Sequence, residues 1–209
     1  MATNSLKVGG AVVAVVVLAG GAFLAGKSMV DEPDESATSR TTGSSAATTG
    51  QPVRAELVEF RDDKAGWAIS YPKDWNRLQP NDPEIALVVS EKPAEQNTGG
   101  SILARGLTLA EPVNEANLSA AKEVTDKLVT RDGLRHITDP TVIRQGGLPG
   151  YFYFYSFKDP ASGQEGVHSH YFLFKGSTLI TFVFQALPKD DFGRLANLFD
   201  QVMGTFRIL

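Results

Sequence analysis

The chain has 209 residues, 42% of them hydrophobic, a formal charge of −4 and no cysteine. Disulfides, thiolate metal sites and cysteine nucleophiles are therefore excluded. The acidic balance, without any cluster of Lys or Arg, argues against nucleic acid as a partner, because such proteins carry a basic face.

Residues 8–26, VGGAVVAVVVLAGGAFLAG, carry no charged or hydrogen-bonding side chain and are flanked by Lys7 and Lys27. As a helix rising about 1.5 Å per residue the run spans roughly 28 Å, close to the ~30 Å hydrocarbon core of a bilayer. It reads as a transmembrane signal anchor, with residues 1–7 cytoplasmic and the remainder extracytoplasmic at the cell membrane. One lysine on each side is a slight orientation signal, but a short N-terminal tail before a large C-terminal domain favours the same sense. A cleaved signal peptide is the competing reading, with Gly20 and Ala22 as small residues near a cleavage point. Leu18-Ala19-Gly20 and Leu24-Ala25-Gly26 resemble the start of a lipoprotein signal, yet Gly21 and Lys27 stand where the lipidated cysteine would be.

Residues 27–53 shift to acidic, Ser- and Thr-rich composition. Too little apolar surface is present to offset ordering entropy, so the segment is expected to be a flexible linker with ends roughly 25 to 30 Å apart. Residues 54–209 then form one extracytoplasmic domain large enough for a real core. Glu56 to Phe60 and Trp67 to Tyr71 read as a hairpin, and Ile85 to Ser90 and Ile102 to Leu109 as further strands joined by the exposed loop Glu91 to Gly100. Leu118, Ala121, Val124 and Leu128 recur at helical spacing, predicting a helix over Asn117 to Thr130 with Asn117 as N-cap. A weaker strand at Thr141 to Arg144 precedes a turn at Gly146 to Gly150. Three strong strands follow, Tyr151 to Phe157, Val167 to Phe174 and Thr178 to Leu187. The last two are joined tightly by Lys175-Gly176-Ser177, which implies an antiparallel pair. A final amphipathic helix, capped by Asp190 and ended by Gly204, places Phe192, Leu195, Phe199, Val202, Met203 and Phe206 on one face. The expected class is α+β, an antiparallel sheet with helices laid on it.

Alternation along the three strong strands groups Phe152, Phe154, Phe172, Phe174, Phe182 and Phe184 on one face, if they pair in register. Tyr151, Tyr153, Tyr155, Tyr171, Thr181, Val183 and Gln185 take the other. That amphipathic face either lies beneath the helix at 117–130 or is partly open. Tyr151, Tyr153, Tyr155, Tyr171 and Gln185 are thus the candidate ligand- or partner-binding residues. The chain has no serine-hydrolase elbow, phosphate loop, dinucleotide fingerprint or zinc-protease motif, so no catalytic residue and no cofactor is assigned. His168 and His170 share a strand face and are the only metal candidates, with Asp159 or Glu165 as a third ligand; strand-end histidines at a domain rim are the simpler reading. His136, placed in a loop, receives no role. Trp67 and Trp75 are expected in core and lid positions rather than on a binding platform.

The run Gly66-Trp67-Ala68-Ile69-Ser70-Tyr71-Pro72-Lys73-Asp74-Trp75, with Phe182 to Phe206 ending in Thr-Phe-Arg, resembles the superfamily of the photosystem II extrinsic protein PsbP. Within it the resemblance is to actinobacterial LpqN-type envelope proteins, and it covers about Leu57 to Leu209. It implies an α/β/α sandwich and an adaptor rather than an enzyme; the lipid cysteine typical of the LpqN type is replaced by a peptide anchor. The resulting expectation is a non-enzymatic, membrane-tethered, extracytoplasmic binding or adaptor module of a bacterial cell envelope with a protein partner. The alternative is a carrier or chaperone for an apolar envelope ligand such as a lipid, held between the tyrosine face and the helix at 117–130.

Overall fold

A computed structural model describes residues 55–96, 98–130 and 134–209. The expected cytoplasmic tail, anchor and linker at 1–53 lie outside the described residues. Among the described residues no helix is long and apolar enough to cross a membrane.

The elements are β1 (Leu57–Asp62), β2 (Trp67–Pro72), β3 (Asn76–Leu78), β4 (Ile85–Ser90), β5 (Gly99–Val113), α1 (Leu118–Val129), β6 (Arg135–Gln145), β7 (Leu148–Lys158), β8 (Glu165–Leu187), α2 (Phe192–Gly204) and β9 (Arg207–Ile208). The main sheet runs β3-β4-β5-β8-β7-β6, antiparallel throughout, and a small sheet runs β1-β2-β9. The expected first hairpin is present as β1 and β2, its turn closed by the Gly66 amide donating to Asp62 O. It does not join the main sheet. It pairs instead with β9, so that Trp67 reaches Phe182 edge-on at 5.2 Å.

β8 is 23 residues of extended chain that turns back on itself. Gly176 adopts φ +57°, the positive value that a primed two-residue hairpin turn requires. The arms meet: His168 Nε2 lies 2.8 Å from Gln185 Oε1, and the Tyr171 and Phe184 rings are 5.7 Å apart. The N-terminal arm pairs with β7 and the C-terminal arm with β5. The expected antiparallel pair around Lys175-Gly176-Ser177 is therefore present.

The expected division of faces needs correction. Phe172 and Phe174 lie with Tyr151, Tyr153 and Tyr155, while Tyr171 lies with Phe182 and Phe184. The cause is register: Tyr151 stands opposite Phe172, Tyr153 opposite His170 and Tyr155 opposite His168. Residues directly opposite share a face, so the two arms of β8 carry their phenylalanines in opposite phase.

Two cores follow. On one face Phe182, Phe184, Ile102 and Ala104 pack against Leu195, Phe199, Val202 and Met203 of α2 and against Trp67 and Ile69 of the small sheet. On the other, Tyr151, Tyr153, Phe172, Phe174 and Leu179 pack against Leu118, Ala121 and Val129 of α1. Asn117 takes the N-cap position expected of it but makes no side-chain cap bond, and the expected Asp190 cap of α2 is displaced. Asn117 spends its side chain on the preceding loop, donating to Pro112 O and accepting from the Asn114 amide. Asp190 falls within the short 3-10 turn Lys189–Asp191, and Asp191 takes the N-cap position without a side-chain bond. Burial of the apolar faces, not capping, holds these helices.

Lys175 ties the small sheet to the main one. Its Nζ donates to Ala65 O at 3.1 Å and Gly66 O at 3.0 Å. The loop expected at Glu91 to Gly100 is clamped at both ends, its last two residues already belonging to β5. Arg194 of α2 grips the Glu91 carboxylate through both oxygens, at 2.7 and 2.8 Å, while the Gly100 amide donates to Glu91 Oε2 at 3.0 Å. The Arg194 bonds hold the Glu91 carboxyl below its ordinary pKa despite partial burial.

Phe199 is 3% exposed and meets Trp75, Phe184 and Phe192. Phe199→Ala should cost about 3 to 5 kcal/mol, a large share of a domain's ~5 to 15 kcal/mol. A melting temperature of the full chain unchanged within error would show that α2 is not packed in this way.

Candidate functional site

The α1-side face of the main sheet has two halves. Over β7 it is covered by α1, and two of the tyrosines expected to bind a ligand, Tyr151 and Tyr153, bond to that helix. Tyr151 Oη donates to Leu118 O at 3.0 Å, and Tyr153 Oη contacts Thr125 Oγ1 and Asp126 Oδ1, each at 2.6 Å. Tyr151, Tyr153 and Tyr155 are 3%, 0% and 1% exposed. Burial, reinforced by the Asp126 carboxylate, pushes the Tyr153 phenol far above its usual pKa. Asp126 feels the reverse balance: burial raises it, but bonds from Lys122 and Tyr153 outweigh that and hold its carboxyl below the usual value. Tyr171, on the α2 side between Phe152 and Phe184, is pushed by burial up to about 12.

Beside α1, over β8 and β5, the same face is polar. Ser101, Arg105, His168, His170, Thr181 and Gln185 are all buried. Their common side follows from register: Ser101 is opposite Gln185, Leu103 opposite Val183 and Arg105 opposite Thr181, while His168 touches Gln185. Tyr155 Oη lies 3.2 Å from Nδ1 of both His168 and His170. His136 is in strand β6 opposite Tyr155, its ring 6.3 Å away, so the chain's three histidines surround one tyrosine. Phe157 lies over His168 at 4.2 Å and Phe172 stacks on His170 at 3.9 Å.

The proposed carboxylate companions of the histidines are engaged elsewhere. Asp159 Oδ2 accepts from the amide and hydroxyl of Ser162, and Glu165 pairs with Lys189. Among the described residues no group of three potential metal ligands comes together. Trp67 is fully buried and Trp75 packs edge-on against Phe199, the core and lid positions expected.

Several members of this cluster escaped sequence reasoning. Arg105 is a lone cation in the apolar strand ILARGLTL, in phase with Leu103 and Leu107, and that phase was the available signal. His136 was hidden because register shifts flank Thr138 on both sides, breaking the alternation that would have placed it in a strand. Arg105 donates to Glu84 Oε2 at 2.6 Å, yet its Nε has no partner. Ser101 Oγ, Thr181 Oγ1 and His170 Nε2, on the same face, are also unpartnered. A separate pocket of about 340 Å³ opens at the sheet rim among Arg135, Ser156, Phe157, Lys158, Gly163 and Glu165.

No protein-family model and no curated protein matches the chain. Solved structures do. The solution structure of cyanobacterial PsbP (CyanoP) from Synechocystis superposes with a TM-score of 0.55 at 16% identity, over 79% of this chain and 98% of that one. LpqN of Mycobacterium tuberculosis, described as involved in cell envelope biogenesis, superposes with a TM-score of 0.54 at 14% identity, over 75% and 92%. The domain therefore has a PsbP-like fold with resemblance to LpqN.

Two measurements test the electrostatics. Burial first, then His168 and Arg105, hold the His170 pKa well below its ordinary value. The unfolded chain binds a proton near pH ~6.5 that the folded one refuses. Stability should therefore fall as the pH drops below about 6.5, and less steeply in His170→Asn, read as the pH slope of urea unfolding; identical slopes would refute the assignment. Tyr153→Phe should cost about 1 to 2 kcal/mol. It should also weaken the stabilisation by ionised Asp126, which is present above about pH 4 and lost in acid.

Proposed function

We propose that the chain is a non-enzymatic, extracytoplasmic binding module of a bacterial cell envelope, tethered to the membrane by residues 8–26 and acting through contact with a protein partner. The reading is carried by one combination: a domain with the fold of LpqN, a protein described as involved in cell envelope biogenesis, follows an apolar segment of membrane-spanning length and a polar spacer.

Further support comes from the sheet. The region between the tyrosines and α1, where the alternative carrier would hold a lipid, is filled by side chains whose hydroxyls bond to the helix. Large apolar side chains are exposed instead on β6, at the edge of the main sheet, where Ile137 is 48% and Val142 66% exposed. Exposed apolar groups on an unpaired strand edge suit a protein contact.

Protease added to cells with permeabilised outer layers should release a fragment that begins in residues 27–53. A photocrosslinking residue at Val142 should capture a specific envelope protein, whereas one at Lys158 on the neighbouring strand should capture less of it. Full protection of the domain, or equal capture from both positions, would overturn the reading.

A further inference from the structure

We propose that the pocket at the sheet rim is a binding site for the phosphate of a small phosphomonoester, held by Arg135 and Lys158. The pocket exists because the strands end unevenly: β6 begins at Arg135, opposite Ser156, whereas β7 continues through Phe157 and Lys158, whose strand partners are Gly166 and Glu165 of β8. The rim is notched beyond Arg135. Its cavity of about 340 Å³ is of the size that takes small molecules, and it opens between the exposed residues Arg135, Lys158, Gly163 and Glu165, with Ser156 and Phe157 buried behind them.

Register brings the charged groups together. Arg135 stands opposite Ser156 and Lys158 opposite Glu165, and Ser156 and Lys158 are two residues apart on β7, so all four share the α2 side of the sheet. At ~4.8 Å between strands and ~3.3 Å per residue, the Cα atoms of Arg135 and Lys158 lie roughly 8 Å apart. Two side chains of that length meet at one anion. Lys158 leans over the β7–β8 turn, its Cε 3.9 Å from the position that a Cβ on Gly163 would take. Phe157 is in the opposite phase, its ring 4.2 Å from that of His168, and it lines the pocket where the cavity passes round the rim.

The charges specify the ligand. Glu165 is already engaged, by Lys189 Nζ at 2.5 Å and by the Ser156 hydroxyl, and those bonds hold its carboxyl below the ordinary pKa. Among the described residues Arg135 and Lys158 make no ion pair. Glu165 and Lys189 cancel, so the guanidinium and the ammonium remain as a surplus of positive charge at the pocket. A phosphomonoester brings about −1.5 to −2 charges at neutral pH and three strong acceptor oxygens. The planar guanidinium grips two such oxygens at once, and the ammonium adds a compact point charge. A carboxylate would offset about half of the surplus. Inorganic phosphate would fill only part of the cavity, which is roughly ten times the ~30 Å³ that one water takes in the liquid, so a short organic group enters with the phosphate and lies against Phe157. A free small molecule and a lipid headgroup present the same phosphate to these residues.

The test observes the phosphate directly, by phosphorus NMR with the full chain in nonionic detergent. Glycerol 3-phosphate should shift and broaden with a Kd on the order of 0.1 to 1 mM at ~50 mM salt and bind several-fold more weakly at ~500 mM, because exposed charge pairs are screened. Glycerate, added as a competitor, should displace it several-fold less effectively than inorganic phosphate does, and glycerol should not displace it. Arg135→Gln and Lys158→Gln, both at exposed positions, should keep the parent melting temperature and each weaken binding about tenfold. Arg144→Gln, at the other end of β6, should bind as the parent does. Glu165→Gln, which removes the one carboxylate lining the pocket, should bind more tightly. Dioctanoyl phosphatidic acid doped into the micelles separates the sources: binding tighter than that of glycerol 3-phosphate assigns a lipid headgroup, and weaker binding assigns a free small molecule. The proposal is overturned if neither compound binds, if Arg144→Gln weakens binding as much as Arg135→Gln and Lys158→Gln do, or if Glu165→Gln binds more weakly than the parent.

Discussion

The reversal of β8 at Gly176 decides where everything else goes. One arm of that strand belongs to β7 and the other to β5, so the turn joins the two halves of the main sheet. It also sets which side chain stands opposite which. The phase change across it puts Phe182 and Phe184 under α2 and Phe172 and Phe174 under α1, and it brings His168 against Gln185. Lys175, immediately before the reversal, holds the β1–β2 turn, so the small sheet is indexed to the same point.

The sheet packs on one side against α2 and the small sheet, and on the other it carries, beside α1, a half-face whose polar residues are buried. That half-face is not an apolar plate awaiting a helix. It carries a guanidinium, two imidazoles, an amide and two hydroxyls among a few aliphatic side chains. Polar groups in such a position destabilise the folded state unless every one is bonded; Tyr155 and Gln185 bond the imidazoles and Glu84 bonds Arg105, while Ser101 Oγ, Arg105 Nε, His170 Nε2 and Thr181 Oγ1 have no partner. The exposed apolar groups of the β6 edge and the buried polar groups at the β5–β8 centre lie on different parts of the sheet.

Much of this was legible in the residues. The hairpin at 56–71, the strands at 85–90 and 151–187 and both helices follow from alternation, turn chemistry and 3.6-residue spacing, because each acts over a few residues. The placement of the first hairpin in its own sheet was not legible, since it depends on Arg207 and Ile208 meeting Trp67 and Ala68 across the whole domain. Nor was the side on which Tyr171 lies. Periodicity fixes which residues of one strand share a face, but the phase between strands is set by turn geometry to within a single residue. For the polar cluster the sequence showed the histidine pair and Gln185. Arg105 and His136 came into view only once register and bulges were known.

The pairing of β2 with β9 has a consequence for how the domain is made. The Ser70 amide donates to Thr205 Oγ1 at a separation of 135 residues, and Arg207 grips Glu59 across 148. Such contacts form only after a long loop has closed, so topology places this chain among slow folders, on the order of milliseconds to seconds. A chain made from its N-terminal end onward holds Trp67, Ile69 and the β1–β2 hairpin without their final neighbours until α2 and β9 have followed. During that interval an apolar hairpin and open strand edges are exposed, and a holding chaperone would have its clearest target there.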